Sequence, residues 1–233
     1  MNMKNRVNAF IAAAALVCLI PAASLALLPY SQDFESYDLP SAGALMGDNW
    51  LVFGNEFNPD GSYIGGYGPF PAPNDGAAFC AVATGEGGPS QGLQQLSVYN
   101  DYNNQNHPNL LIEANVYQEQ TIGTDDVGET WVFDFDAKLG NLAGATTAVA
   151  FIKILNPADW SVIFIPVDMT SIPTTWGSYS TSVLIDPIWV GRFLQIGFAS
   201  TATDYEPSGV FYDNIRFYPT GAVATEEMTF GGV

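Results

Sequence analysis

The sequence predicts an all-β protein, a two-sheet antiparallel β-sandwich of about a dozen strands. Short runs of alternating apolar and polar residues recur along the chain. They are punctuated by 23 glycines and 15 prolines rather than by helix formers in periodic register. The connections between them are too short for the helices that a parallel sheet requires, which leaves antiparallel sheets packed face to face.

The chain opens with a segment of another kind. Residues 1 to 26 read as a secretory signal peptide, with Lys4 and Arg6 as its charged start, Ala9 to Ile20 as its apolar stretch and Ser24-Leu25-Ala26 as a small-x-small cleavage site. The apolar stretch falls short of the roughly 20 residues that span a bilayer, and Pro21 interrupts it. Cleavage there starts the processed chain near Leu27, and the expected location is secreted, extracellular or periplasmic. Residues 27 to 219 are then the sandwich, and 220 to 233 a tail or a last edge strand.

Within the sandwich, strands are expected near Tyr30 to Glu35, Trp50 to Phe53, Phe79 to Ala83 and Leu93 to Tyr99. The clearest strand runs from Thr130 to Lys138, where Trp131, Phe133, Phe135 and Ala137 point one way and Val132, Asp134, Asp136 and Lys138 the other. Similar alternation marks Ile112 to Val116 and Leu194 to Phe198. Further strands are expected at Ala148 to Leu155, Ser161 to Val167, Trp176 to Ile185 and Gly209 to Tyr218. Asn55 to Gly76, dense in Gly, Pro and aromatics, reads as a long irregular loop of the kind that often carries function.

Composition removes several classes of function. Twenty-four acidic residues face six basic ones, a formal charge of −18 that repels phosphate backbones and anionic headgroups, so neither nucleic acid nor a membrane surface is an expected partner. With one histidine, His107, and one cysteine beyond the leader, Cys80, there is no zinc framework, Cys/His dyad or disulfide of the processed chain. Asn100 to His107 is rich in oxygen ligands but reads as a turn, and Gly85 to Gly88 lacks the lysine and helix of a phosphate loop.

One carboxylate stands out. Strict alternation along Val210 to Tyr218 puts Asp213 on the face of Phe211, Ile215 and Phe217, where an unpaired carboxylate is costly. It must be hydrogen-bonded, protonated, paired or metal-bound, and cations are scarce in this chain. Calcium takes six to eight hard oxygen ligands and suits the site. Asp33 and Glu35 flank Phe34 near the other end of the processed chain, and pairing the first and last strands would bring these oxygens together.

The segments Asp33-Phe34-Glu35, Trp176 to Ser180, Leu194 to Phe198 and Phe211 to Ile215, in that order, resemble the galactose-binding-like jelly roll of bacterial carbohydrate-binding modules. The resemblance spans nearly the whole processed chain. It implies a structural calcium between the first and last strands, held here by Glu35 and Asp213 with Asp33 as a further candidate ligand, and a non-catalytic glycan-binding face or loop end. Aromatics in or near expected loops, Tyr63, Tyr67, Phe70, Trp160 and Trp189, are candidates for gripping a sugar. The expected function is thus a secreted, monomeric, non-catalytic protein binding an extracellular glycan. Two alternatives stand beside it. One is a small glycoside hydrolase or polysaccharide lyase using Asp134, Asp136 and Glu113; the other is a surface or matrix structural protein.

Overall fold

The computed structural model describes residues 26–37, 43–73, 79–100, 110–202 and 206–221. The expected two-sheet antiparallel sandwich is observed. One six-stranded sheet runs β10 (Gly177–Leu184), β7 (Thr130–Leu139), β12 (Val210–Pro219), β5 (Gln94–Val98), β4 (Cys80–Thr84), and β1 (Tyr30–Gln32) also pairs with β12. The other runs β3 (Tyr63–Pro71), β2 (Leu51–Phe57), β6 (Leu111–Thr121), β11 (Phe193–Ala202), β8 (Thr147–Leu155), β9 (Val162–Asp168). One short helical turn, Ala44–Gly47, precedes β2. These two layers are called the β12 sheet and the β6 sheet.

Alternation dictates which faces meet. On β7 the residues Trp131, Phe133, Phe135 and Ala137 are buried, and on β6 and β11 the residues Ile112, Ala114, Val116, Leu194, Ile196 and Phe198 face them. Aromatic rings fill the centre: Phe198 stacks on Tyr212 with centroids 3.7 Å apart, and Phe133, Phe135 and Trp50 close around that pair. Cys80 is buried in this core. His107 and residues 222–233 lie outside the described residues, as do residues 1–25 of the expected leader.

Two expectations are corrected. Residues 55 to 71 are not a loop: β2 and β3 form a hairpin, closed by Asn58 N–H donating to the Ser62 carbonyl at 2.8 Å. Glycines hide the strand from composition because crowding demands them. A Cβ on Gly66 would lie 2.6 Å from the Phe53 ring, and one on Gly54 would run into the Tyr67 ring. Strict alternation also fails in β12. Asp213 pairs with Asp136 and Arg216 with Asp134, so one extra residue is inserted, and Asn214 takes a left-handed φ of 47° at the bulge. Tyr212, Ile215 and Phe217 therefore face the core, while Asp213 shares the outer face with Asp136 and Phe211 lies on that face too. Asp213 is nevertheless fully buried, and the charges of Asp33 and Glu35, in the turn after β1, reach it.

Candidate functional site

The outer face of the β6 sheet carries a groove of about 650 Å³. Its floor is built where the strands run small. Gly197 on β11 accommodates Tyr117 from β6, which a Cβ at 197 would meet at 2.7 Å, and Ala199 lies beside it. Tyr117, Phe151 and Ala199 form a second apolar cluster on this face, with Phe53 packed against it.

Across this apolar bed runs a polar network. Lys153 Nζ donates to Asn115 Oδ1 at 2.6 Å and lies 3.4 Å from Glu113 Oε1, while Asn55 Nδ2 donates to Glu113 Oε1 at 2.9 Å. The same ammonium sits 4.3 Å from the Phe151 ring centroid and 5.2 Å from that of Phe164. Burial pulls the Lys153 ammonium below the ordinary lysine value, and Glu113 opposes that pull. Burial would raise Glu113, but Lys153, Asn55 and Asn115 together outweigh it and hold the carboxyl below its usual range. Gln195 Nε2 donates to Glu119 Oε2 at 2.8 Å farther along. The floor thus presents fixed amides and a compensated ion pair.

Aromatic side chains rise at two opposite corners. Tyr63 begins β3 opposite Phe57, which pairs with Leu111 at the start of β6. Trp160 follows Leu155, which pairs through Phe193 with Thr121 at the far end of β6. Both rings line the groove and are largely exposed, Tyr63 at 60% and Trp160 at 65%. The Tyr63 ring meets Phe57 edge-on at 5.6 Å. Trp160 is presented by a tight turn, its own N–H donating to the Asn156 carbonyl at 2.8 Å and its φ at 58°. Asp159 fixes the next residue by accepting from Ser161 N–H at 2.9 Å.

Of the five ring candidates from the sequence, the structure brings Tyr63 and Trp160 into this groove, while Tyr67 and Trp189 lie elsewhere and Phe70, exposed on β3, does not line it. Tyr67 faces inward over Gly54 and packs on Phe79 with centroids 6.1 Å apart. Trp189 lies in the short helical turn Pro187–Trp189, packed against the core. Sequence reasoning missed Lys153, Asn115 and Asn55. The available signal was a lysine among apolar residues in Ala148 to Leu155, whose partners lie on other strands.

The first and last strands pair as expected, and the charges of Asp33 and Glu35 reach Asp213. β1 pairs with β12 at Gln32 and Ile215, and Phe34, fully buried with φ 60°, turns the chain so that Asp33 and Glu35 flank it. Glu35 Oε1 accepts from the N–H groups of Leu93 and Gln94, each at 2.6 Å. Asp213 Oδ1 accepts from Asn214 N–H, and its Oδ2 is buried with no hydrogen-bond partner. Burial pushes the Asp213 carboxyl up to about 7, against the Asn214 N–H and with the charges of Asp33, Glu35 and Asp136 adding to the rise. Among the described residues no group of three or more His, Cys, Asp and Glu side chains is arranged to hold a metal ion.

Asp134 and Asp136 are not simply solvated. Asp136 accepts from Ser178 Oγ at 2.6 Å, Gln91 Nε2 at 2.7 Å and Asn214 Nδ2 at 2.8 Å, and Asp134 accepts from Tyr218 OH at 2.6 Å and from Ser180. Glu113 lies on the outer face of the opposite sheet, so the three carboxylates offered for hydrolysis do not form one site.

Neither a protein-family model nor a curated protein matches the chain. Among solved structures it is similar to the CBM22-2 xylan-binding domain from Paenibacillus barcinonensis Xyn10C, at 12% identity over 82% of this chain and 99% of that one, with a TM-score of 0.48. It is also similar to a Stig cyclase, Fisc, from Fischerella sp. TAU, at 13% identity over 84% of this chain and 100% of that one, with a TM-score of 0.46. A third is the enzymatically active domain of bacteriophage CBA120 tailspike protein 4, at 15% identity and a TM-score of 0.45, where the match covers 79% of this chain and 21% of that one.

Proposed function

We propose that the protein is exported and binds a neutral glycan in the groove of the β6 sheet, without catalysis. The observation that carries this reading is the pairing of two exposed rings, Tyr63 and Trp160, with a floor of amides and an ion pair already held by one another. A pyranose offers an apolar C–H face for a ring and a rim of hydroxyls that both donate and accept, so it matches such a surface. Hydroxyls can bond the fixed Asn55, Asn115 and Gln195 amides without neutralising a charge. The excess of acid over base argues against an anionic polysaccharide.

Calcium is proposed as the structural ion at the chain ends. The observation that fits it is the orphaned, buried Asp213 Oδ2 in the field of Asp33, Glu35 and Asp136. Asp213 and Glu35 would hold the ion, with Asp33 beside them, and backbone carbonyls or water would complete the shell. Its role there is to cancel negative charge where β1 meets β12.

The test is a glycan array probed with the exported protein in calcium and again in chelator. Binding to neutral polysaccharide that is weakened in Trp160→Ala and kept in Asp134→Asn is expected. Absence of binding to any polysaccharide in calcium would refute the glycan reading. Release of reducing sugar abolished by Asp134→Asn would replace it with a hydrolase.

A further inference from the structure

We infer that Asp126 is a receptor for the α-ammonium group created when the chain is cut between Ala26 and Leu27. The inference rests on the export reading above and is independent of glycan binding.

Asp126 ends the short helical turn Thr124–Asp126 that follows β6, and it is 3% exposed. Its Oδ2 accepts from Gly123 N–H at 2.8 Å. Its remaining capacity is directed at one atom: the Leu27 nitrogen lies 3.0 Å from Oδ1 and 3.0 Å from Oδ2. Among the described residues no lysine or arginine pairs with this carboxylate. A buried carboxylate without a cation is costly, and a backbone amide supplies one shared hydrogen and no charge. An ammonium at the same place supplies three hydrogens and the missing positive charge. The free α-amine has an ordinary pKa of about 7.7–8.0, so it is mostly cationic at neutral pH.

The chain is gripped from that residue onward. Leu27 is buried in the core cluster at 4% exposure. Gln120 on β6 clasps both backbone groups of Leu28, accepting from its N–H at 2.6 Å and donating to its carbonyl at 2.9 Å. Ala26, one residue earlier, is half-buried, and it completes the small-x-small Ser24-Leu25-Ala26. Cleavage motif and structural anchor therefore meet at the same peptide bond. Hydrolysis of that bond adds one water, leaving a carboxylate on Ala26 and an ammonium on Leu27 that folding then seats against Asp126.

The test begins with the exported protein, whose first residue is read by N-terminal sequencing and intact mass. Leu27 is the expected first residue. Any other start, or retention of residues 1 to 26, overturns the proposal, and retention also overturns the export reading while leaving the groove untouched. The processed protein is then acetylated at near-neutral pH, where the α-amine reacts ahead of lysine, and melted beside an Asp126→Asn variant treated identically. Acetylation is expected to lower the melting midpoint of the wild-type protein by about 3 °C or more and that of the variant by much less. Equal shifts in the two proteins overturn the proposal; each shift is taken within one protein, so any loss of the Gly123 hydrogen bond in the variant cancels. Should the variant fail to fold, the acetylation rate of the Leu27 amine decides instead. At least tenfold slower reaction in the native than in the urea-unfolded protein is expected, and equal rates overturn the proposal.

Discussion

Lys153 shows how much one residue in the groove carries. Its ammonium is buried against two rings and satisfied by Asn115 and Glu113, so the cost of burying it is met only while both partners remain. Lys153→Met keeps the stem and removes the charge, stranding the Glu113 carboxylate. A loss of about 3 kcal/mol in urea unfolding at pH 7 is expected. The pH dependence follows from the same pair. The Glu113 carboxyl is held below its unfolded value, so its contribution is complete above that value and disappears as pH falls through the depressed folded one. Wild-type stability should therefore drop on acidification below about pH 4. That component should be missing in Lys153→Met, as titration of the urea midpoint between pH 3 and 7 would reveal. Trp160 is the contrasting case, since its ring is largely exposed and does not hold the fold. Trp160→Ala should weaken glycan binding about tenfold, roughly 1.4 kcal/mol by calorimetry, with an unchanged melting midpoint.

At the level of elements, the β2–β3 hairpin and the β12 bulge decide what reaches the surface. On β3, glycine replaces side chains where Phe53, which lines the groove, needs room. Gly66→Val should force Phe53 aside, costing about 1–3 kcal/mol by denaturant unfolding and reducing glycan affinity, whereas Gly65→Ala, with open space around its Cβ position, should leave the groove intact. In β12, the extra residue at Asn214 turns Asp213 to the outer face while returning Ile215 and Phe217 to the core. Alternation read from the sequence placed Ile215 and Phe217 correctly and exchanged Phe211 with Tyr212, because a single inserted residue is invisible to a period of two.

For the molecule as a whole, the first and last strands meet. β1 is three residues long and pairs with β12, and the turn after it carries Asp33 and Glu35 towards Asp213. Calcium should raise the melting midpoint and EDTA should lower it. Asp213→Asn should abolish that increment and, in EDTA at pH 8, should melt higher than the wild type because it removes a buried unpaired charge beside other carboxylates. A calcium response in Asp213→Asn equal to that of the wild type would place the ion elsewhere.

By itself the sequence determined the layer architecture, most strand positions and the burial of Phe34. Those features are local: alternation and turn residues are written within a few neighbouring positions. Only the tertiary structure decided that Lys153, Asn115, Glu113 and Asn55 form one network, since they come from β8, β6 and β2 and meet through strand register. It also decided that Tyr67 and Trp189 pack inward while Tyr63 and Trp160 face the groove, and that Asp126 waits at the nitrogen of Leu27, 99 residues away. Contacts across sheets depend on which strands are neighbours and in which register. A chain with loops longer than tight turns does not encode that order within any short window.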